Sequence, residues 1–405
     1  MRPGSASARE CRRKILILTM GMGSGHNVPA ASVAEAIARY HPSVDAPVVD
    51  LADDARPRYG RLEKRCWRFC LRHPEILKPF YYATHRSIRF VRVLDTASRR
   101  KASSDVLDLL ELERPDVILC THYGPANIIS RLRKDHPGLP PVVVLITDPF
   151  EPHALWLVEP SELYLLSALG RAEELSAAGI PAERIRNIDF PLRLCFTSDT
   201  ATAWKPRPAP LQGKNAKLRV TLAAGGEGIG RLRAQVDALL KANLDLFLVV
   251  LCGRNREVRE ALLKLVQERR SARTTVVPVG FTDDVHGILS ATDITMGKSG
   301  TSFTLESLFC GKPFLITQTL ANEEGCRDFV LRNGAGWFEP TIPAQVELVR
   351  RLVTDRALLR EVSRNCRALG LRNGSRQIAD LLTRMARDRA RFGAVPPCPG
   401  PRAAH

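Results

Sequence analysis

No stretch of this 405-residue chain is apolar for long enough to cross a bilayer as a helix. The longest apolar runs, Val142–Ile146 and Leu246–Cys252, fall far short of the ~20 residues a span requires. Cysteine is present ten times, but never as a CxxC pair or beside histidine at zinc-finger spacing. That pattern excludes a small disulfide scaffold and gives no structural zinc site. Cys120, Cys252 and Cys310 sit in apolar runs and read as small core residues. Acidic residues are in deficit, 43 against 60 Lys and Arg, for a formal charge of +17. Such a surplus favours an anionic partner: lipid head groups, nucleic acid or a phosphate-bearing substrate. The basic segment before Ile15–Leu18 is followed by too short an apolar run for a secretory signal, so the reading expects a reduced, cytoplasmic compartment.

What is present is ordinary for a globular protein, 44% hydrophobic and 25% charged. Short β-branched runs alternate with helical stretches. Lys14–Thr19, Ala46–Leu51, Asp116–Cys120, Pro141–Thr147, Leu163–Ser167 and Arg184–Ile188 read as parallel strands, four of them nearly all apolar. A Pro-rich, polar stretch at 198–217 interrupts the pattern. It resumes with Leu218–Leu222, Leu246–Leu251, Thr274–Val279, Ile294–Met296 and Pro313–Thr317. The expected organisation is α/β: two doubly wound, Rossmann-like domains facing across a cleft, at 14–197 and 218–392, with a linker at 198–217 and a disordered tail at 393–405.

Three turns carry candidate chemistry. The first strand leads into Gly21-Met-Gly23-Ser-Gly25-His26-Asn27, with Asn27 as a helix cap and Pro29 in the first turn. Glycines there bring backbone N–H groups to a ligand at the positive end of a helix. A dinucleotide fingerprint with Asp50 as the ribose acid fails at its third glycine, where His26 stands. An imidazole at that crevice can take a proton from a hydroxyl. The second half opens with a similar turn, Gly225-Gly226-Glu227-Gly228. Further on, Lys298-Ser299-Gly300-Thr301 precedes a short helix bearing Glu306, a carboxylate able to accept from both hydroxyls of a ribose.

Taken in order, Gly-Ser-Gly-His26, Gly225 to Gly228, Cys252-Gly-Arg-Asn255, Gly280-Phe281, Lys298-Ser-Gly300…Glu306 and Asn322-Glu323-Glu-Gly325 resemble the monogalactosyldiacylglycerol synthase and processive diacylglycerol glucosyltransferase family. That family is itself similar to the peptidoglycan N-acetylglucosaminyltransferase MurG. The resemblance spans about residues 14 to 370. It implies a GT-B fold and inverting transfer of a hexose, glucose or galactose, from a UDP-sugar to a membrane lipid hydroxyl, diacylglycerol first. No metal and no cofactor beyond the sugar nucleotide are implied.

By the same resemblance, His26 is the first candidate base and Asp148 the second. Gly225, Gly226, Gly228, Ser299 and Gly300 are assigned to the phosphates, Phe281 to the uracil, Glu306 to the ribose, and Asn322 and Glu323 to the sugar. Gly23, Gly25, His122, His153 and Trp156 fall on the acceptor side. Phe303 stands where the family has threonine, and Cys326 where it has asparagine. The competing readings are a UDP-sugar 2-epimerase, an NAD-dependent oxidoreductase and an inactive nucleotide- or lipid-binding relative.

Residues 56–101 are strongly basic with interleaved aromatics. Within them Arg61, Lys64, Arg65, Trp67, Arg68 and Phe69 form the expected contact with an anionic membrane surface, at about 1 kcal/mol per basic residue. With no nucleic-acid-binding fingerprint beside it, the segment is not expected to bind nucleic acid.

Overall fold

The computed structural model describes residues 12–21, 24–52, 64–66, 69, 74–86, 102–170, 172–196, 217–223, 231–269 and 271–388. Two six-stranded parallel sheets form two lobes. The first comprises β1 (Ile15–Thr19), β2 (Val48–Asp50), β3 (Val117–Cys120), β4 (Val142–Leu145), β5 (Leu163–Ser167) and β6 (Ile185–Ile188), in the order β2-β1-β3-β4-β5-β6. The second comprises β7 (Leu218–Ala223), β8 (Leu246–Leu251), β9 (Thr274–Val279), β10 (Ile294–Lys298), β11 (Phe314–Gln318) and β12 (Gly336–Phe338), in the order β12-β11-β10-β7-β8-β9. Every strand read from the sequence is present. β12 was not foreseen, because three half-buried residues give no period to detect.

Burial on both faces explains the unbroken apolar runs. In β1, Ile15 and Ile17 join the cluster beneath helix Ser24–Tyr40, while Leu16 and Leu18 face a second cluster with Ile128 and Ile129 of helix Tyr123–Asp135. The second lobe repeats this, with Leu218, Val220 and Leu222 on one face and Phe314 and Ile316 on the other. That last cluster also takes in Phe150, Phe190 and Phe196, so an apolar seam joins the lobes.

Helix Ser375–Arg387 departs from the domain division expected from the sequence. It returns to the first lobe, where Ile378, Leu382 and Met385 are buried with Ile15 and Ile17. The crossover is closely fitted. Asn373 Nδ2 donates to the carbonyls of Leu192 and Arg193 at 3.0 and 2.9 Å, and its Oδ1 accepts from Leu192 N at 3.0 Å. Gly374 lies so near Asp189 that a β-carbon there would stand 1.8 Å from its carbonyl oxygen. Most of the expected linker and all of the expected tail lie outside the described residues.

In each sheet the strand order reverses beside the first strand, between β1 and β3 and between β7 and β10. Crevices at the carboxyl ends of strands beside such a reversal are where doubly wound sheets bind ligands. His26 follows β1, His122 follows β3, Asp148 follows β4, and Ser299 and Gly300 follow β10.

Candidate active site between the lobes

The turn after β1 is closed by Asp50. Its Oδ1 accepts from the backbone of Gly21 at 2.8 Å and Ala52 at 2.9 Å, and its Oδ2 from Asn27 Nδ2 at 3.1 Å. Asn27 Oδ1 in turn accepts from the Thr19 hydroxyl at 2.8 Å. Three of the carboxylate's roughly four acceptor sites are thus committed to the loop, which makes Asp50 a brace for the turn. The helix also begins earlier than expected, at Ser24, so Asn27 braces the turn from inside and is not its cap. Gly25 has no atom within 4 Å of where a β-carbon would point, which leaves open space beside His26. Gly23 lies outside the described residues.

His26 is held through one ring nitrogen. Nδ1 lies 3.0 Å from the Thr121 carbonyl oxygen and 2.6 Å from Thr147 Oγ1. A carbonyl only accepts, so Nδ1 carries the proton and Nε2 the lone pair. Nε2 makes no hydrogen bond among the described residues. Burial lowers the pKa of His26 below 6.5, and the nearby Asp148 carboxylate partly offsets this. The ring is therefore neutral at neutral pH, with its basic nitrogen available.

Asp148 is fixed on one side. Its Oδ2 accepts from Trp156 Nε1 at 2.7 Å, and its other oxygen has no hydrogen-bond partner among the described residues. Burial raises its pKa, against the opposing effects of His26 and Trp156. Trp156 is 1% exposed, and its ring lies 6.2 Å from that of His26.

His122 and His153 are both built into the scaffold. His122 Nδ1 accepts from Gly124 N at 2.9 Å as the N-cap of helix Tyr123–Asp135, and its ring meets His26 edge-on at 4.6 Å. His153 Nδ1 accepts from Leu155 N at 3.1 Å, so its Nε2–H donates to the Tyr81 carbonyl at 3.2 Å. Burial lowers the His153 pKa to about 4, which keeps that tautomer neutral.

The facing wall belongs to the second lobe. One cleft is lined by Tyr81, Asp148, Phe150 and Glu151 from the first lobe and by Thr301, Asn322, Gly325 and Cys326 from the second. Asn322 Oδ1 is buried without a hydrogen-bond partner among the described residues, as an acceptor awaiting a ligand would be. A β-carbon on Gly325 would come within 3.0 Å of Phe150 Cβ, so glycine sets how closely the lobes approach there. Glu323 is 5% exposed; its Oε1 accepts from Lys298 Nζ at 2.6 Å and its Oε2 from Leu320 N at 3.3 Å. The Ser299 hydroxyl is enclosed and bonds Thr319 Oγ1 at 3.0 Å, while Gly300 caps helix Thr301–Phe309.

Glu306 is where sequence and structure differ most. The ribose assignment asks for accessible oxygens, yet Glu306 is 0% exposed and faces Arg193 from the first lobe. Arg193 Nε and Nη2 donate to its two oxygens at 2.8 and 2.9 Å. Burial pushes the carboxyl up to about 7 despite that pairing. The partner stands 113 residues away in sequence, beyond the reach of any motif.

Phe281 is 58% exposed, with the Arg254 guanidinium 4.5 Å from its ring centroid. Phe303 packs edge-on against Phe314 at 5.7 Å, and Cys326 Sγ lies 3.5 Å from Thr301 Oγ1. The two departures from the family pattern are thus a core contact and a buried thiol in the cleft wall. Of the expected membrane patch, Lys64 is half-buried, Arg65 and Phe69 are exposed, and Arg61, Trp67 and Arg68 lie outside the described residues. So do Gly225, Gly226 and Gly228. Among the described residues no group of three or more His, Cys, Asp or Glu is placed to hold a metal ion, and no helix is long and apolar enough to cross a membrane.

Two facing parallel sheets of this kind make a GT-B fold. The crystal structure of Acinetobacter baumannii MurG superposes with a TM-score of 0.58 at 14% identity, covering 92% of this chain and 100% of that one. A structure of S. aureus MnaA with UDP superposes with a TM-score of 0.54 at 15% identity, over 94% and 97% of the two chains. At the level of sequence, the profile of the monogalactosyldiacylglycerol (MGDG) synthase family matches residues 26–191. Monogalactosyldiacylglycerol synthase 1 of Arabidopsis thaliana is 25% identical over 338 residues, 80% of this chain and 62% of the plant protein. The chain thus spans less than two thirds of that relative. The processive diacylglycerol beta-glucosyltransferase of Staphylococcus carnosus is 22% identical over 394 residues, 95% of this chain and 97% of that protein. The resemblance read from the ordered motifs is borne out by these matches.

Proposed function

We propose that the protein transfers a hexose from a UDP-sugar to the free hydroxyl of a membrane lipid, diacylglycerol, with inversion. The observation that carries this reading is the shared cleft. A half-tethered carboxylate, Asp148, lines it on one side and an unsatisfied amide oxygen on the other, and a neutral imidazole with a free lone pair stands close enough to Asp148 to feel its charge. In a single displacement the lipid oxygen bonds to the anomeric carbon as the bond from that carbon to the diphosphate breaks. The hydroxyl proton passes to His26 Nε2. Asp148 then stabilises the imidazolium, and UDP departs as an anion. Thr301, at the N-terminus of helix Thr301–Phe309, lines the cleft, where the positive end of the helix favours that developing charge. The names of the relatives support the lipid acceptor, and the UDP-bound neighbour supports the nucleotide. Exposed Arg65 and Phe69 suit an anionic bilayer surface.

Incubation with anionic liposomes containing diacylglycerol and a panel of UDP-sugars should release UDP and form a glycolipid with one of the sugars. Turnover of UDP-GlcNAc without lipid would identify an isomerase instead, and nucleotide binding without any turnover would identify an inactive relative.

The pH dependence follows from the tautomer. The base works only when neutral, so activity is retained above the His26 pKa and lost as pH falls through it. Burial places that loss below pH 6.5. Asp148→Asn removes a charge that raises the His26 pKa and should move the acid limb of kcat/KM lower still. A limb at or above 6.5, or an upward shift in the variant, would reassign the base.

A further inference from the structure

Helix Pro74–Arg86 bridges the lobes at the mouth of the cleft. The Tyr82 hydroxyl donates to Glu324 Oε2, and Lys78 Nζ lies 3.4 Å from Glu324 Oε1. The next residue inward, Tyr81, is pinned more firmly still. Its carbonyl accepts from the Thr84 hydroxyl at 2.9 Å and from His153 Nε2 at 3.2 Å. Its ring lies parallel to His85 at 6.1 Å and against His153 at 4.6 Å. The backbone and ring are thus fixed, yet the Tyr81 hydroxyl has no hydrogen-bond partner among the described residues. A half-buried phenol held this way while lining the cleft beside Asp148, Thr301 and Asn322 is placed for a ligand. Burial, and then the charge of Asp148 ahead of those of Glu151 and Glu324, keeps it protonated, so it acts as a donor.

We propose that Tyr81 is a specificity-determining residue for the acceptor, its hydroxyl donating to an ester carbonyl of the lipid beside the reacting alcohol and so aligning that alcohol on His26 Nε2. This rests on the lipid-glycosylating reading above and deepens it. The reacting oxygen itself needs its lone pair for the anomeric carbon, so a donor at this point serves better on the neighbouring ester. A glycerolipid offers two such carbonyls, whereas a dialkyl ether offers none. A site built to hydrogen-bond a substrate group discriminates against the analogue that lacks it.

The test compares dioleoylglycerol with its dioleyl ether analogue in the same anionic vesicles, for the wild type and for Tyr81→Phe, which keeps the clamped ring. A neutral hydrogen bond contributes about 0.5–1.5 kcal/mol, or up to about tenfold. The variant should therefore raise KM for the ester about twofold to tenfold, with KM for the ether and for the sugar nucleotide unchanged. A purely structural role would move both lipids together, and that result, or no change for either, would overturn the assignment to Tyr81. If the wild type glycosylates neither lipid, the parent reading falls and this one with it. If it glycosylates both and Tyr81→Phe alters neither, only the Tyr81 proposal falls.

Discussion

His26→Ala is expected to lower kcat for sugar transfer by about 10²- to 10⁴-fold, the range of a positioned general base, while UDP affinity stays within about twofold. The asymmetry comes from where the ring is held. Its Nδ1–H is spent on Thr121 O and Thr147 Oγ1 within the first lobe, so the substitution removes the base without touching the second lobe. Single-turnover transfer and calorimetric titration with UDP, run on the same preparation, check both halves. A variant as active as the wild type would remove the role altogether, leaving Asp148 as the base. A companion change, Thr147→Val, keeps the imidazole but deletes one of the two groups that fix its tautomer, and should fall between the wild type and His26→Ala.

The second large effect is expected at Glu306. If its carboxylate receives the two ribose hydroxyls, Glu306→Ala should weaken UDP binding about 10²- to 10⁴-fold, since hydrogen bonds to a charged group contribute about 1.5–3 kcal/mol each. The structure adds a condition. Both oxygens are now occupied by Arg193, so a nucleotide must exchange places with that guanidinium. The same variant leaves Arg193 unpaired at the seam between the lobes and should lower Tm by several degrees. Thermal denaturation beside calorimetry therefore separates two roles. A lower Tm with unchanged UDP affinity would make Glu306 a bond between the lobes and nothing more.

These two residues also mark how far the sequence could be read. Apolar runs such as Ile15–Thr19 and Val142–Leu145 announce strands buried on both faces, and their alternation with helices announces the two sheets. His26 was visible because it breaks a glycine pattern at the end of the first strand. The nitrogen that carries its proton was not visible, because that depends on a carbonyl and a hydroxyl at Thr121 and Thr147, on two other strand ends. Asp50 looked like a ligand-binding acid and is a brace for the turn, a role that only the fold reveals. Tyr81 was one aromatic among many in a basic segment. Only the placement of its helix against both lobes gives it a purpose.

The returning C-terminal helix has a practical corollary for anyone dissecting this molecule. A gene severed at the interlobe connection does not yield two self-sufficient proteins. One fragment would expose the greasy stripe around Ile15, Ile17 and Val33 to water, and the other would trail an orphaned amphipathic segment carrying Ile378, Leu382 and Met385. A circular permutant that keeps residues 375–387 beside the first sheet is the cut this architecture tolerates.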